Sequence, residues 1–176
     1  MSKNKQLVLA IFDTEESADA AATAVKAWDK ASKEVKLGAI GVLVKDDKGK
    51  IKTHKLGKRK TGTGAVVGAI AAAIGTGGLS LVGGAVVGGI LGSFFHKGLG
   101  LSKDDMARLD GDLDGGKAVV AILAGNDEAE AVGAKLTELG GTVETHEVTD
   151  EAVEQAAAAV EEAAPAEEAA EADAAA

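Results

Sequence analysis

The chain has 176 residues, with no cysteine, no tyrosine, one tryptophan and three phenylalanines. A disulfide framework and a thiolate metal site are therefore excluded, and the aromatic platforms on which proteins stack bases or sugars are missing. The net charge of −9 belongs to the end of the chain. Asp150, Glu151, Glu154, Glu161, Glu162, Glu167, Glu168, Glu171 and Asp173 fall in residues 149–176 with no Lys or Arg among them. The body is neutral, so overall acidity is no guide to partners.

The first residues, MSKNKQLVLAIF, hold too short an apolar run for a signal peptide, and the expectation is a cytoplasmic start. Residues 6–12 read as a buried strand. Asp13 with Glu16 has the form of a capping box, opening a helix that carries Ala18, Ala21, Ala22, Val25 and Trp28 on one side and ends near Ser32. Residues 39–44 form a second strand and 46–49 a hairpin turn. Residues 50–56 form a third strand, polar enough for an edge or an exposed face.

The stretch 61–95 has no charged residue: TGTGAVVGAIAAAIGTGGLSLVGGAVVGGILGSFF. Gly64, Gly68 and Ala72, then Gly84, Gly88 and Gly92, recur every four residues. On a helix each set shares a face where a second backbone can approach closely. Gly75-Thr76-Gly77-Gly78 reads as a turn, which divides the stretch into a helical hairpin with arms of about 14–17 residues, roughly 20–25 Å each. That is short of the ~30 Å hydrocarbon core. Lys55, Lys58, Arg59 and Lys60 precede the stretch, and His96 and Lys97 follow it. Basic flanks at both ends fit a hairpin whose ends face the cytoplasm, with these cations on anionic lipid headgroups. The same glycines also suit a buried hairpin in a soluble oligomer.

Ser102 with Asp105 forms another capping pattern, starting a short helix through Met106 and Leu109. Residues 117–124 read as a strand. Asn126 caps a helix whose apolar side is Ala129, Val132, Leu136 and Leu139, stopped by Gly140-Gly141, and residues 142–148 form a last strand. The tail from Thr149 has too few large apolar residues to bury a core and is expected to be disordered or loosely helical. Residues 11–25 lie on 122–136 without a gap, strand onto strand and helix onto helix. The expected fold is therefore α+β: two βαβ halves in a ferredoxin-like two-layer sandwich, helices on one face, with the glycine-rich hairpin inserted and an acidic tail appended. The boundaries are 1–60, 61–98, 99–148 and 149–176.

The motifs that would carry chemistry are incomplete. Asp110, Asp112 and Asp114 open like an EF-hand loop, but position twelve is Ala121 where calcium needs a bidentate Glu, so a solvated acidic turn is expected instead. Gly111 to Lys117 spells GxxxxGK without the following hydroxyl residue or the strand-to-helix setting. Gly62, Gly64 and Gly68 imitate a dinucleotide fingerprint but follow basic residues rather than a buried strand. His54, His96 and His146 are scattered, with no helical-spacing partner. No catalytic arrangement, cofactor, small-molecule substrate or nucleic-acid surface stands out.

The basic collar, the doubled glycine run and the passage GLGLSKDDMARLDGDLDGGKAVVAILA together resemble the bacterial glycine-zipper membrane proteins of unknown function, some labelled general-stress or heat-induced. The resemblance covers roughly 6–148. It implies a cytoplasmic α/β domain on the inner membrane carrying an apolar hairpin, and it brings no catalytic residue or ligand. The resulting expectation is a non-enzymatic, membrane-associated structural or stress protein that self-associates through the hairpin. A soluble cytoplasmic homo-oligomer, as a ring, cage or lipid-holding particle, is the alternative. A pore ranks below both, because the hairpin has no charge for a selectivity site.

Overall fold

The computed structural model describes residues 5–32, 37–49, 51–55, 81–82, 85–86, 100–151 and 154. In chain order these form β1 (Lys5–Phe12), α1 (Glu15–Ala31), β2 (Ala39–Lys45), β3 (Ile51–Lys55), β4 (Leu81–Val82), β5 (Ala85–Val86), α2 (Lys103–Asp114), β6 (Ala118–Gly125), α3 (Asn126–Glu138) and β7 (Thr142–Val148). The architecture is α+β. Five strands make one antiparallel sheet in the order β3-β2-β6-β1-β7.

The order follows from two interleaved crossovers. β1 and β2, joined by α1, both run antiparallel to β6 and flank it. β6 and β7, joined by α3, both run antiparallel to β1 and flank that. The two central strands are therefore one from each half of the chain. Both are apolar at successive positions, not alternate ones, because both faces of the sheet are covered here. Leu7–Phe12 and Ala118–Ala124 are buried throughout. β3, with Lys52, Thr53, His54 and Lys55 among its five residues, lies at an edge, as its polarity leads one to expect.

Strand alternation splits the core into two clusters. Val8, Ala10, Val42, Val120 and Ile122 pack under α1 and α3, against Ala18, Ala22, Val25, Val132 and Leu136. On the other face Leu7, Leu9, Leu43, Val119 and Leu123 pack with Met106, Leu109 and Leu113 of α2 and with Leu101. Helices on one face only, the arrangement expected from the pattern, is thus corrected: α2 lies against the opposite face. Its apolar positions are spaced by three and four, which is a helix stripe, and the sheet face beneath is apolar at every alternate residue.

Three local expectations shift. The cap of α1 is Thr14, whose Oγ1 accepts from the Ser17 amide at 3.1 Å, not Asp13 with Glu16. The cap of α3 is Gly125, with its amide donating to Glu128 Oε2 at 3.1 Å, while Asn126 accepts from Gln6 Nε2 at 2.9 Å. And α2 continues to Asp114 through the residues expected to form a turn. The ends behave as expected elsewhere. Gly140, at φ 94°, takes the left-handed conformation that ends α3, and Gly141 lies so close to Phe12 that an added Cβ would be 2.8 Å from Cζ.

In the expected second arm of the hairpin, Leu81–Val82 and Ala85–Val86 pair antiparallel. At these four residues the chain is extended rather than helical, in keeping with the strand preference of Val and the helix cost of the adjacent glycines. The rest of 56–99, with Gly64, Gly68, Ala72, Gly84, Gly88, Gly92, Lys58, Arg59, Lys60 and Lys97, lies outside the described residues. Of the tail, Asp150, Glu151 and Glu154 are helical, and the residues beyond lie outside the described ones.

Candidate functional site: the α2 face and the roots of the insertion

β3 ends at Lys55, paired with Gly41 at one edge of the sheet. The chain is next described continuously from Gly100, against Glu147 of β7 at the other edge. Four strand intervals separate these edges, about 20 Å. The described residues that flank 56–99 thus lie at opposite edges of the sheet. α2 then crosses one face of it from β7 back to β2, its 12 residues covering about 18 Å.

At the β2 end, Lys45 Nζ lies 2.8 Å from Asp110 Oδ1 and 2.6 Å from Asp114 Oδ1. The two carboxylates are one helical turn apart and hold the ammonium between them. Their hydrogen bonds, Asp110's first and then Asp114's, raise the Lys45 pKa above its ordinary value. Asp112 is paired separately with Lys117 at 2.9 Å, and that hydrogen bond raises the Lys117 pKa. The acidic turn expected over Asp110, Asp112 and Asp114 is thus a helix whose three aspartates pair with two separate lysines. Among the described residues no group of three or more carboxylates and imidazoles is placed to hold a metal.

At the β7 end, Ser102 and Asp105 form the expected capping box. Asp105 Oδ2 accepts from the Ser102 amide at 2.9 Å and from its hydroxyl at 2.7 Å. The hydroxyl in turn accepts from the Asp105 amide at 3.1 Å. The side-chain bond, and next the backbone bond, hold the Asp105 pKa below the usual carboxylate range. Arg108 joins this box to β7, bonding Asp105 Oδ1 at 3.3 Å and Glu144 Oε2. Those bonds, Glu144's foremost, raise the Arg108 pKa further. His146, two residues along the same face of β7, places Nδ1 3.0 Å from the Gly100 carbonyl oxygen.

The arrangement is suited to seating α2 on the sheet and fixing residues 100–102 against β7. The Ser102 hydroxyl donates its hydrogen bond to Asp105 Oδ2. Because the Asp105 carboxylate is stabilised in the fold, its contribution is complete above the ordinary value of 3.8. It is lost as pH falls through the lower folded value, since the unfolded chain takes up the proton first. Asp105→Ala is expected to destabilise the protein by about 1 kcal/mol at pH 7. The gap between variant and parent should shrink in urea titrations carried below pH 3.8.

Of the surface cations expected from the sequence, Lys55 alone is placed, at the end of β3. The pattern gave no sign of Lys45, Arg108 or Glu144, and His146 was one of three scattered histidines. The available signal was the two-residue spacing of Glu144 and His146, which puts both on the face of Leu7 and Leu9 once the register is known. No family model matches the chain, and neither the curated proteins nor the solved structures give a match.

Proposed function

We propose that this is a non-enzymatic, membrane-associated structural or stress protein of the glycine-zipper kind, working from the cytoplasmic side of the inner membrane. It consists of a ferredoxin-like sandwich of two βαβ halves with an apolar hairpin inserted at 61–98. The interleaved order β2-β6-β1-β7 favours the ferredoxin-like reading. The observation that carries the function is the uncharged run 61–95 between basic flanks, rooted at the two edges of one sheet. Lys55, Lys58, Arg59, Lys60 and Lys97 meet anionic headgroups. Gly64, Gly68 and Ala72 on the first arm, and Gly88 and Gly92 on the second, bring copies together. Gly84 falls between β4 and β5 and contributes less to that face.

The second reading is a soluble homo-oligomer with the insertions gathered inside. It is favoured by the short arms and by the ladder of Leu81–Val82 with Ala85–Val86, which shortens any helix in the second arm. Among the described residues no helix is long and apolar enough to cross a membrane.

Fractionation of expressing cells without detergent separates the two. Pelleting with membranes and resistance to alkaline carbonate is the result expected of a lipid-embedded hairpin. A discrete large particle by light scattering, free of membranes, overturns it in favour of the oligomer. In either setting Gly88→Leu should lower the assembled mass, and an unchanged mass removes the glycines from the interface.

A further inference from the structure

We propose that the C-terminal end of α2 with its glycine turn, residues 111–116, is a strap that opens from the sheet while the first half of the helix stays seated, and that Lys45 is the pin that keeps it closed. The inference does not depend on what receives the insertion. Three glycines bracket the strap, Gly111 at one end and Gly115-Gly116 at the other. An added Cβ at Gly111 meets nothing within 4 Å. Packing therefore gives no reason for a glycine inside the helix, where it weakens the turn. A hinge at the start of the strap is a reason.

The two halves of α2 are held differently. The first has the Ser102–Asp105 box, with Asp104 and Asp105 at the end of the helix that favours carboxylates. It also has Arg108 on Glu144 and the buried Met106 and Leu109. The second half has Asp110, Asp112 and Asp114 toward the end where the helix dipole disfavours them, with no basic residue in the last turn. Asp110 and Asp114 stand four apart and repel. One buried side chain, Leu113, places this half in the cluster of Leu43 and Val119.

Lys45 turns that repulsion into attachment. It is the last residue of β2 and is held there by its pairing with Ile51 of β3. Its Nζ lies 2.8 Å from Asp110 Oδ1 and 2.6 Å from Asp114 Oδ1. The lysine side chain is 12 % exposed while both carboxylates are more open, so the aspartates regain water as soon as the strap lifts. Lys117 on Asp112 is a second tie, more exposed than Lys45 and so weaker. Opening uncovers Leu113 and the apolar sheet residues of its cluster, while the capped half and Gly100 stay in place. Apolar surface on this face is thus covered or released according to one ammonium and the salt around it.

Amide hydrogen exchange on the full chain, followed by NMR through a series of sub-denaturing urea concentrations, tests this. The Gly115 amide donates to the Gly111 carbonyl at 3.0 Å. It should exchange about tenfold faster than the amide of Leu109, and with little dependence on urea, because a local opening exposes little surface. In Lys45→Met, exchange at Gly115 should accelerate about tenfold, as expected for a charge-assisted hydrogen bond lost. In Gly111→Ala it should slow about fivefold, the difference in helix propensity. Equal protection and equal urea dependence at Gly115 and Leu109 would show α2 opening as one piece, which overturns the strap. Unchanged exchange in Lys45→Met overturns the pin, and no slowing in Gly111→Ala overturns the hinge. If Lys45→Met does not fold, sodium chloride raised in the parent from ~0.05 M to ~1 M takes its place. Faster exchange at Gly115 is then the expected result, and an unchanged rate overturns the pin.

Discussion

Leu109→Ala should destabilise the protein by about 3–4 kcal/mol, the range of a fully buried leucine whose space cannot collapse. Leu109 is 0 % exposed and sits in the middle of the α2 stripe, between Met106 and Leu113, in one cluster with residues of β1, β2 and β6. Among the described helices α2 is the one packed on this face, so no other described helix can move in to fill the gap. Leu136→Ala, also 0 % exposed but on α3 beside α1, is the comparison. A single domain stabilised by roughly 5–15 kcal/mol shows either loss plainly as a lower urea midpoint at unchanged slope. If Leu109→Ala costs less than 1 kcal/mol while Leu136→Ala costs 3, α2 is not firmly seated on the sheet.

Gly100→Val should cost roughly 3 kcal/mol, for two independent reasons. The backbone is at φ 63°, where a β-branched residue is strained by about 1–2 kcal/mol. A Cβ there would also lie 2.8 Å from the Glu147 carbonyl oxygen, a backbone atom of β7 that cannot turn aside. Gly116 separates the two effects. It has φ 84° and nothing within 4 Å of an added Cβ, so Gly116→Ala carries only the conformational cost, about 1 kcal/mol. Equal losses in the two variants would show that Gly100 does not pack against β7.

Much of the sheet was legible because its strands are short apolar runs bounded by turn residues, and each helix announces itself with a cap or a stripe. The self-similarity of 11–25 and 122–136 matches the two strand-to-helix units, although the helices begin at Glu15 and Asn126, one residue later and one residue earlier than the expected caps imply. α2 was underestimated for a reason of charge. Asp110-Gly111-Asp112-Leu113-Asp114 is a poor helix segment taken alone, and what offsets this is Lys45, a residue 65 positions away from Asp110. Met106, Leu109 and Leu113 keep helical spacing through this segment, and their burial seats it on the sheet. The seam of Arg108, Glu144 and His146 could not be read beforehand, since it exists only once β7 is registered on β1. The cap of α1 is Thr14 and not its neighbour Asp13, and Asp and Thr are both good capping residues.

The interleaving of the two halves also sets an order of events during synthesis. β1 has β6 and β7 as its sheet neighbours, so its apolar residues stay without a strand beside them until residues 118–125 have been made. The uncharged stretch 61–95 is translated before that point, by roughly a few seconds at ordinary rates of ~5–20 residues per second. β2 and β3 form a local hairpin and can pair at once; the central pair must wait. The sheet can therefore close only after the uncharged stretch has been made.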